Sequence, residues 1–302
     1  IAEEMGVALC RAAFSPNIKE RRDYSCAVFD AEGRMVAQAA HIPVHLGSMP
    51  LCVQSVIESI PMSPGDMVIL NDPFRGGTHL PDITLVAPIF VEGQSSPAFF
   101  VANRAHHSDV GGMTPGSMPL STSVLQEGIR IPPVKFIQAC ERNADVLHLI
   151  LANVRTPDER RGDLDAQIAA NRIGERRLIE ISGKYGLAEV QEYMAELQAY
   201  SARMMCATLR SIPDGSYQFS DFMDNDGFTD QPVQICVTIT IEGDEAIVDF
   251  TGSSSQVSGS INAIYAITLS AAFYVFRCLA GYEIPSNSGC LEPIQVIAPE
   301  GT

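Results

Sequence analysis

Several familiar signatures are missing from this chain, and each absence removes a class of function. There is no G-x-x-x-x-G-K-S/T loop and no G-x-G-x-x-G fingerprint, so the usual backbone cradles for nucleotide phosphates are not present. Gly252-Ser253-Ser254-Ser255 is rich in glycine and serine but lacks the lysine that such a cradle uses. A G-x-S-x-G nucleophile elbow is absent as well. None of the 8 cysteines forms a C-x-x-C pair, which leaves a thiolate zinc site or a redox dithiol without support. Basic tracts are missing too: Lys19, Arg21 and Arg22 are interrupted by Glu20, and 36 acidic against 20 basic residues give a formal charge of -16. Such a surface repels a polyanion, which argues against nucleic acid as a partner. No apolar run approaches the roughly 20 residues that span a bilayer, and no signal peptide is visible, so no membrane partner is expected.

What is present is a core. Hydrophobic residues make up 46% and charged residues 19% of 302 positions, enough to fill one large domain or two ordinary ones. The apolar lean also fits a chain that buries part of its surface against a partner. The cysteines, scattered through apolar stretches, read as buried free thiols in a reducing compartment, so a cytoplasmic setting is expected. Ile1 opens inside a helical pattern and Pro299-Glu300-Gly301-Thr302 is a turn just after an apolar strand, so both ends read as cut.

Periodicity predicts a helix over 1–14, strands over Tyr24–Phe29 and Arg34–Ala39, and a helix over Leu51–Ile60. Strands follow at Met67–Leu70, Ile83–Phe90 and Ala98–Ala102. Residues 108–135 have no periodicity and are rich in Gly, Pro, Ser and Met; a structureless stretch of this length inside a globular chain is usually functional. Helical composition then runs over 143–153 and 158–210, followed by a hairpin over Val233–Ile241 and Ala246–Phe250, a helix over Ala263–Leu279 and a strand over Ile294–Ala298. The expected fold is α+β: a mixed-sheet N-terminal domain with glycine-rich active-site loops over 1–142, a helical segment over 143–212, and a further α+β region over 213–302.

Two clusters carry the chemistry. The first is Asn71-Asp72-Pro73-Phe74-Arg75-Gly76-Gly77-Thr78-His79-Leu80-Pro81-Asp82. Pro81 keeps Leu80 out of the helical region, and in a tight turn residues three apart can share a side, so His79 and Asp82 can meet at one cation. The second, Arg104-Ala105-His106-His107-Ser108-Asp109-Val110-Gly111-Gly112, follows an apolar strand. In extended chain His106 and His107 point to opposite faces, so one of the two joins His79 and Asp82 unless the strand has already bent. Two imidazoles and one carboxylate with open positions form an arrangement that holds a catalytic divalent metal. His41 and His45 have helical metal-pair spacing, but Pro43 between them argues for a structural or supporting role. His148 lies in an apolar helical patch and reads as packing. Glu20 lies in a charged loop whose ends can converge on the histidines, which makes it a candidate acid/base.

These residues resemble the hydantoinase B/oxoprolinase family. The likeness runs through Gly65-Asp66, Asn71-Asp72-Pro73, Gly76 to Asp82, Ala105 to Gly112, Pro115-Gly116-Ser117, Gln126 to Pro133 and Asp249 to Ser254, in consistent order along nearly the whole chain. That family includes subunits of N-methylhydantoinases, part of 5-oxoprolinase, caprolactamase, and subunits of acetone and acetophenone carboxylases. The resemblance implies a hydantoinase A-type partner that binds ATP and activates a small-molecule substrate, so a hetero-oligomer is expected, with ATP in the partner and a divalent metal in this chain. It also implies that His79, Asp82 and one of His106 and His107 are ligands, with His106 favoured, that Glu20 is the acidic residue of the early loop, and that Asp72 assists. The activity expected from it is ATP-dependent opening of a cyclic amide; ketone carboxylation and a non-catalytic metal-binding scaffold are the competing expectations.

Overall fold

The structure is a computed structural model that describes every residue except His41, Ser117, Tyr282 and Glu283, and not the side chain of Ala40. His41, the proposed counterpart of His45, therefore lies outside the described residues, as does Ser117 of the Pro115-Gly116-Ser117 motif.

The chain opens with helix α1 (Ala2–Ala12) and the single turn α2 (Pro16–Lys19). Strands β1 (Tyr24–Phe29) and β2 (Met35–Ala40) form a hairpin, α3 (Ser48–Ser59) follows, and then come β3 (Met67–Leu70), β4 (Asp82–Ile89), β5 (Phe99–His106), β6 (Val134–Gln138) and β7 (Glu141–Arg142). All seven strands join one sheet in the order β2-β1-β5-β4-β3-β6-β7, antiparallel at every pairing. Helices α4 (Ala144–Ala152), α5 (Pro157–Tyr185) and α6 (Leu187–Leu209) come next. A second sheet holds β8 (Gly215–Met223), β9 (Val233–Glu242), β10 (Glu245–Asp249) and, after α7 (Tyr265–Ala280), β11 (Ile294–Ile297), in the order β11-β10-β9-β8. Only β10 and β11 pair in parallel. The α+β class holds, with one correction: the mixed sheet is the C-terminal one, because two consecutive hairpin-like pairings and a helical crossover bring β11 alongside β10.

The central strands are buried on both faces, which explains their nearly continuous apolar runs. Alternation sorts them into two cores. Cys26, Val28, Ile69, Phe99 and Val101 face one core with Met5, Leu9 and Leu164; Ala27, Phe29, Leu70, Phe100 and Ala102 face the other with Val53, Met205 and Phe273. Thus α1 and α5 cover one face of the large sheet, and α3, α6, α7 and the small sheet cover the other.

The structure differs from the expectation at several places, and β6 and β7 are strands that the sequence reading does not assign. β5 runs four residues past Ala102, because the polar side chains of Asn103 and Arg104 are each bonded on opposite faces of the sheet. β8 was not predicted; its nine residues are all exposed and carry no clear apolar alternation. His148 is exposed on α4 and does not pack inward. All eight cysteines are free; Cys26, Cys52 and Cys290 are buried, whereas Cys140 and Cys278 are exposed. No helix among the described residues is long and apolar enough to cross a membrane.

Candidate metal centre

The segment between β3 and β4 is folded by its own side chains. The buried Asn71 amide donates to Leu80 O (2.7 Å) and Ile129 O (2.9 Å), and its oxygen accepts from Ile131 N (2.6 Å). Asp72 caps a turn of 3-10 helix over Pro73–Arg75 by accepting from Phe74 N at 3.0 Å. Gly76 then takes a left-handed conformation, φ 79°, and lies against the backbone of Leu51 and Cys52 in α3. Finally Asp82 N donates to His79 O at 3.0 Å, closing the tight turn that puts His79 and Asp82 on one side. A side chain at Gly76 meets both a positive φ and helix backbone. Gly76→Ala is therefore expected to lower stability by about 2–4 kcal/mol, as left-handed strain and overpacking add; the denaturant midpoint of unfolding reads this directly.

Asp82 and His106 are directly opposite each other across β4 and β5. Both point to the face covered by α3 and α7, and His79 reaches the same point from the turn. His79 Nε2 is 3.1 Å from Asp82 Oδ1, His106 Nδ1 is 3.3 Å from the same oxygen, and the two nitrogens are 3.2 Å apart. Among the described residues this is the group whose ligand atoms converge as a metal site requires. The other carboxylate oxygen of Asp82 is held from behind: Thr78 Oγ1 donates to it, and His45 Nε2 lies 3.3 Å away. His45 is fully buried, and burial outweighs the pull of Asp82 to lower its pKa. A neutral imidazole carries one N–H, and an ionised carboxylate can only accept, so Nε2–H donates to Asp82 and Nδ1 accepts from Ser25 Oγ at 2.9 Å.

The same geometry sets the charges. Burial alone pushes the Asp82 carboxyl up, but the adjoining His79 charge and hydrogen bonds from His106, His45 and His79 hold it well below the usual range. Burial pushes His79 down, and the charge and hydrogen bond of Asp82 more than reverse this, leaving it raised. Among the described residues the buried Asp82 Oδ1 meets no polar group other than the His79 and His106 nitrogens. Ligands about 2.0–2.2 Å from a common ion at tetrahedral or octahedral angles are about 2.8–3.6 Å apart. The observed triangle lies inside that range, and a cation at its centre would take up Asp82 Oδ1 together with both nitrogens, so the residues fit a divalent metal. The His79 side chain keeps 35% of its surface exposed while that of Asp82 keeps 2%, so the cluster opens on the His79 side.

The remaining predicted residues are elsewhere. His107 is on the opposite face, where its ring Nε2 meets Gln167 Oε1 at 2.9 Å; burial and then the Arg160 charge push its pKa down to about 4. Glu20 is exposed, and its carboxylate has no hydrogen bond or ion pair among the described residues. Asp72 is engaged as the turn cap, 3.8 Å from Arg130 Nε. Asp23, three residues beyond Glu20, is the acid that meets the site: its carbonyl accepts from His106 N at 2.9 Å and its Oδ2 is 4.0 Å from His106 Nδ1. Its signal was its place immediately before β1, and only the β1–β5 register, Tyr24 opposite Ala105, turns that place into a contact.

An α+β fold whose central sheet is covered on both faces, with two imidazoles and one carboxylate gathered at a strand end, defines a class of candidate metal-dependent proteins. The chain belongs to the hydantoinase B/oxoprolinase family, whose model matches residues 1–302. It is 38% identical over 327 residues to 5-oxoprolinase 1 of Arabidopsis thaliana, covering 100% of this chain and 26% of that protein. It is 34% identical over 321 residues to a protein of a Pseudomonas species named as the B component of a D-/L-hydantoinase, covering 100% of this chain and 54% of the relative. The crystal structure of ATP-dependent caprolactamase from Pseudomonas jessenii superposes with a TM-score of 0.93 at 33% identity, over 100% of this chain and 52% of that one. The chain thus spans between about a quarter and about half of the proteins it matches.

Proposed function

We propose that this chain supplies the metal-dependent half of an ATP-dependent cyclic-amide hydrolase, processing a small substrate that a hydantoinase A-type partner activates with ATP. The observation that carries the reading is the His79–Asp82–His106 triangle around the buried Asp82 Oδ1. The names of the relatives, which include a 5-oxoprolinase, one component of a hydantoinase and a caprolactamase, support ring amides as the substrate class and a multi-component enzyme as the setting.

His79, Asp82 and His106 would hold the ion, which when bound polarises a carbonyl or acidifies a water. An amide resists attack because resonance gives its C–N bond double-bond character, so activation in the partner precedes attack here. His45 and Thr78 hold Asp82 Oδ2 and so aim Oδ1 into the cluster. His79 borders the open side through which substrate enters. The base is Asp23: its partly exposed carboxylate is beside His106, within reach of a water at the cluster, whereas Glu20 is free in solvent and Asp72 is occupied as a cap.

The test uses the full-length protein together with its ATP-binding partner. Metal content by mass spectrometry and ring opening of hydantoin, 5-oxoproline and caprolactam are measured with and without ATP. About one divalent ion per chain and ATP-dependent ring opening support the reading. Stoichiometric consumption of bicarbonate with a ketone would move it to a carboxylase, and ring opening by this protein without ATP or partner would make it a standalone hydrolase.

A further inference from the structure

The helix α5 carries a buried polar stripe, Arg160, Asp163, Gln167 and Asn171, on the side that covers β4 and β5. A helix laid on a sheet normally presents apolar side chains there, since each buried amide must recover its lost hydration through hydrogen bonds. Here the amides are bonded to specific strand atoms. Gln167 Nε2 donates to Ile83 O (2.9 Å) and to Asn103 Oδ1 (2.8 Å), and its Oε1 meets His107 Nε2 at 2.9 Å. One turn on, Asn171 Nδ2 donates to Leu85 O at 3.1 Å and its oxygen accepts from Asn103 at 2.8 Å. The carbonyl of Ile83 can only accept, so the orientation of the Gln167 amide is decided by the network.

What distinguishes Gln167 is which residues it joins. Ile83 follows Asp82 on β4, and His107 follows His106 at the end of β5; Asp82 and His106 are the last opposed pair of those strands. Beyond that pair the strand ends are tied by His107 N donating to Pro81 O at 2.8 Å and by the Gln167 side chain. We infer that Gln167 is a positioning residue for the metal centre: from the far face of the sheet, its single amide sets the separation of the two strand ends that carry Asp82 and His106. Asn171 makes the same kind of bonds, but to Leu85, two residues further from the ligand end than Ile83. It anchors the helix without touching the neighbours of a ligand. Metal ligation tolerates only a few tenths of an ångström in donor position, so loss of the Gln167 link is felt as affinity.

The inference rests on the metal reading, and the test separates the two. The full-length protein is stripped of metal, and binding of Mn2+ and Co2+ is titrated calorimetrically for the unmodified protein, Gln167→Met and Asn171→Leu, with the melting temperature of each metal-free form. Gln167→Met is expected to weaken the ion by about tenfold or more, the range seen when groups that orient ligands are removed. It is also expected to shift the visible absorption of bound Co2+. Asn171→Leu is expected to lose comparable thermal stability while keeping its affinity within about twofold. Gln167→Glu, which keeps the volume and the acceptor for His107, takes the place of the methionine variant if that one does not fold. Equal weakening in the Gln167 and Asn171 variants, or none in either, overturns the positioning role while leaving the metal site standing. An unmodified protein that binds neither ion removes both.

Discussion

Asp82→Asn is expected to strip the divalent ion from the protein and to reduce ring opening to background. Asp82 is the only anionic member of the triangle, and its Oδ1 is the corner that both histidine nitrogens approach, at 3.1 and 3.3 Å. Asparagine keeps the shape of the side chain but removes the charge that offsets a dication inside a buried pocket. Removing groups that merely orient ligands weakens metal by about 10–100-fold, so loss of a ligand's charge is expected to exceed about 100-fold. Metal content after dialysis and calorimetric titration measure this, with circular dichroism as the check on folding. Retention of one ion per chain by Asp82→Asn would sink the proposed centre. The pH dependence has a definite sign. Asp82 raises the proton affinity of His79, and a protonated imidazole cannot ligate. Metal affinity is therefore full above the raised His79 pKa and is lost as pH falls through it.

The second large effect separates the adjacent histidines. His106→Ala is expected to weaken the ion by more than about 100-fold, while His107→Gln costs less than about tenfold. His106 Nδ1 is one corner of the triangle, whereas His107 lies under α5, bonded to Gln167. Glutamine at 107 can still donate to Gln167 Oε1, so the bond across the sheet survives. Its cost falls mainly on stability, because the replaced ring is fully buried. Co2+ absorption of both variants distinguishes the cases: a spectrum lost in His106→Ala and kept in His107→Gln is the expected pair. Equal loss in both would mean that the strand end bends in the folded protein and brings both rings to the ion.

The local chemistry of the site was legible in the residues themselves. Pro81 and the Gly76-Gly77 pair mark a tight turn, and a tight turn brings residues three apart to one side, which is how His79 and Asp82 come together. Strand alternation separates His106 from His107 whatever the rest of the fold does. The central strands of the large sheet were readable because burial on both faces leaves apolar runs, whereas the partly exposed β6, the short exposed β7 and the fully exposed β8 carry no such run and were not.

Register and long-range cover were not legible. Asp23 faces His106 only because β1 pairs with β5, and nothing in a charged loop distinguishes the acid that will be paired from Glu20, which points to solvent. His45 was readable as a supporting residue, but its partner, 37 positions away, was not. The Gln167 amide reaches Ile83 across 84 positions, and in sequence it is one polar residue among many on a long helix. Turn geometry and side-chain alternation depend on a few neighbouring residues and their φ/ψ limits, so the sequence determined which residue types could meet at a cation. Strand pairing and helix cover depend on which of many compatible surfaces bury together, and that cooperative choice, made only by the tertiary structure, decided which acid, which second histidine and which amide stand at the centre.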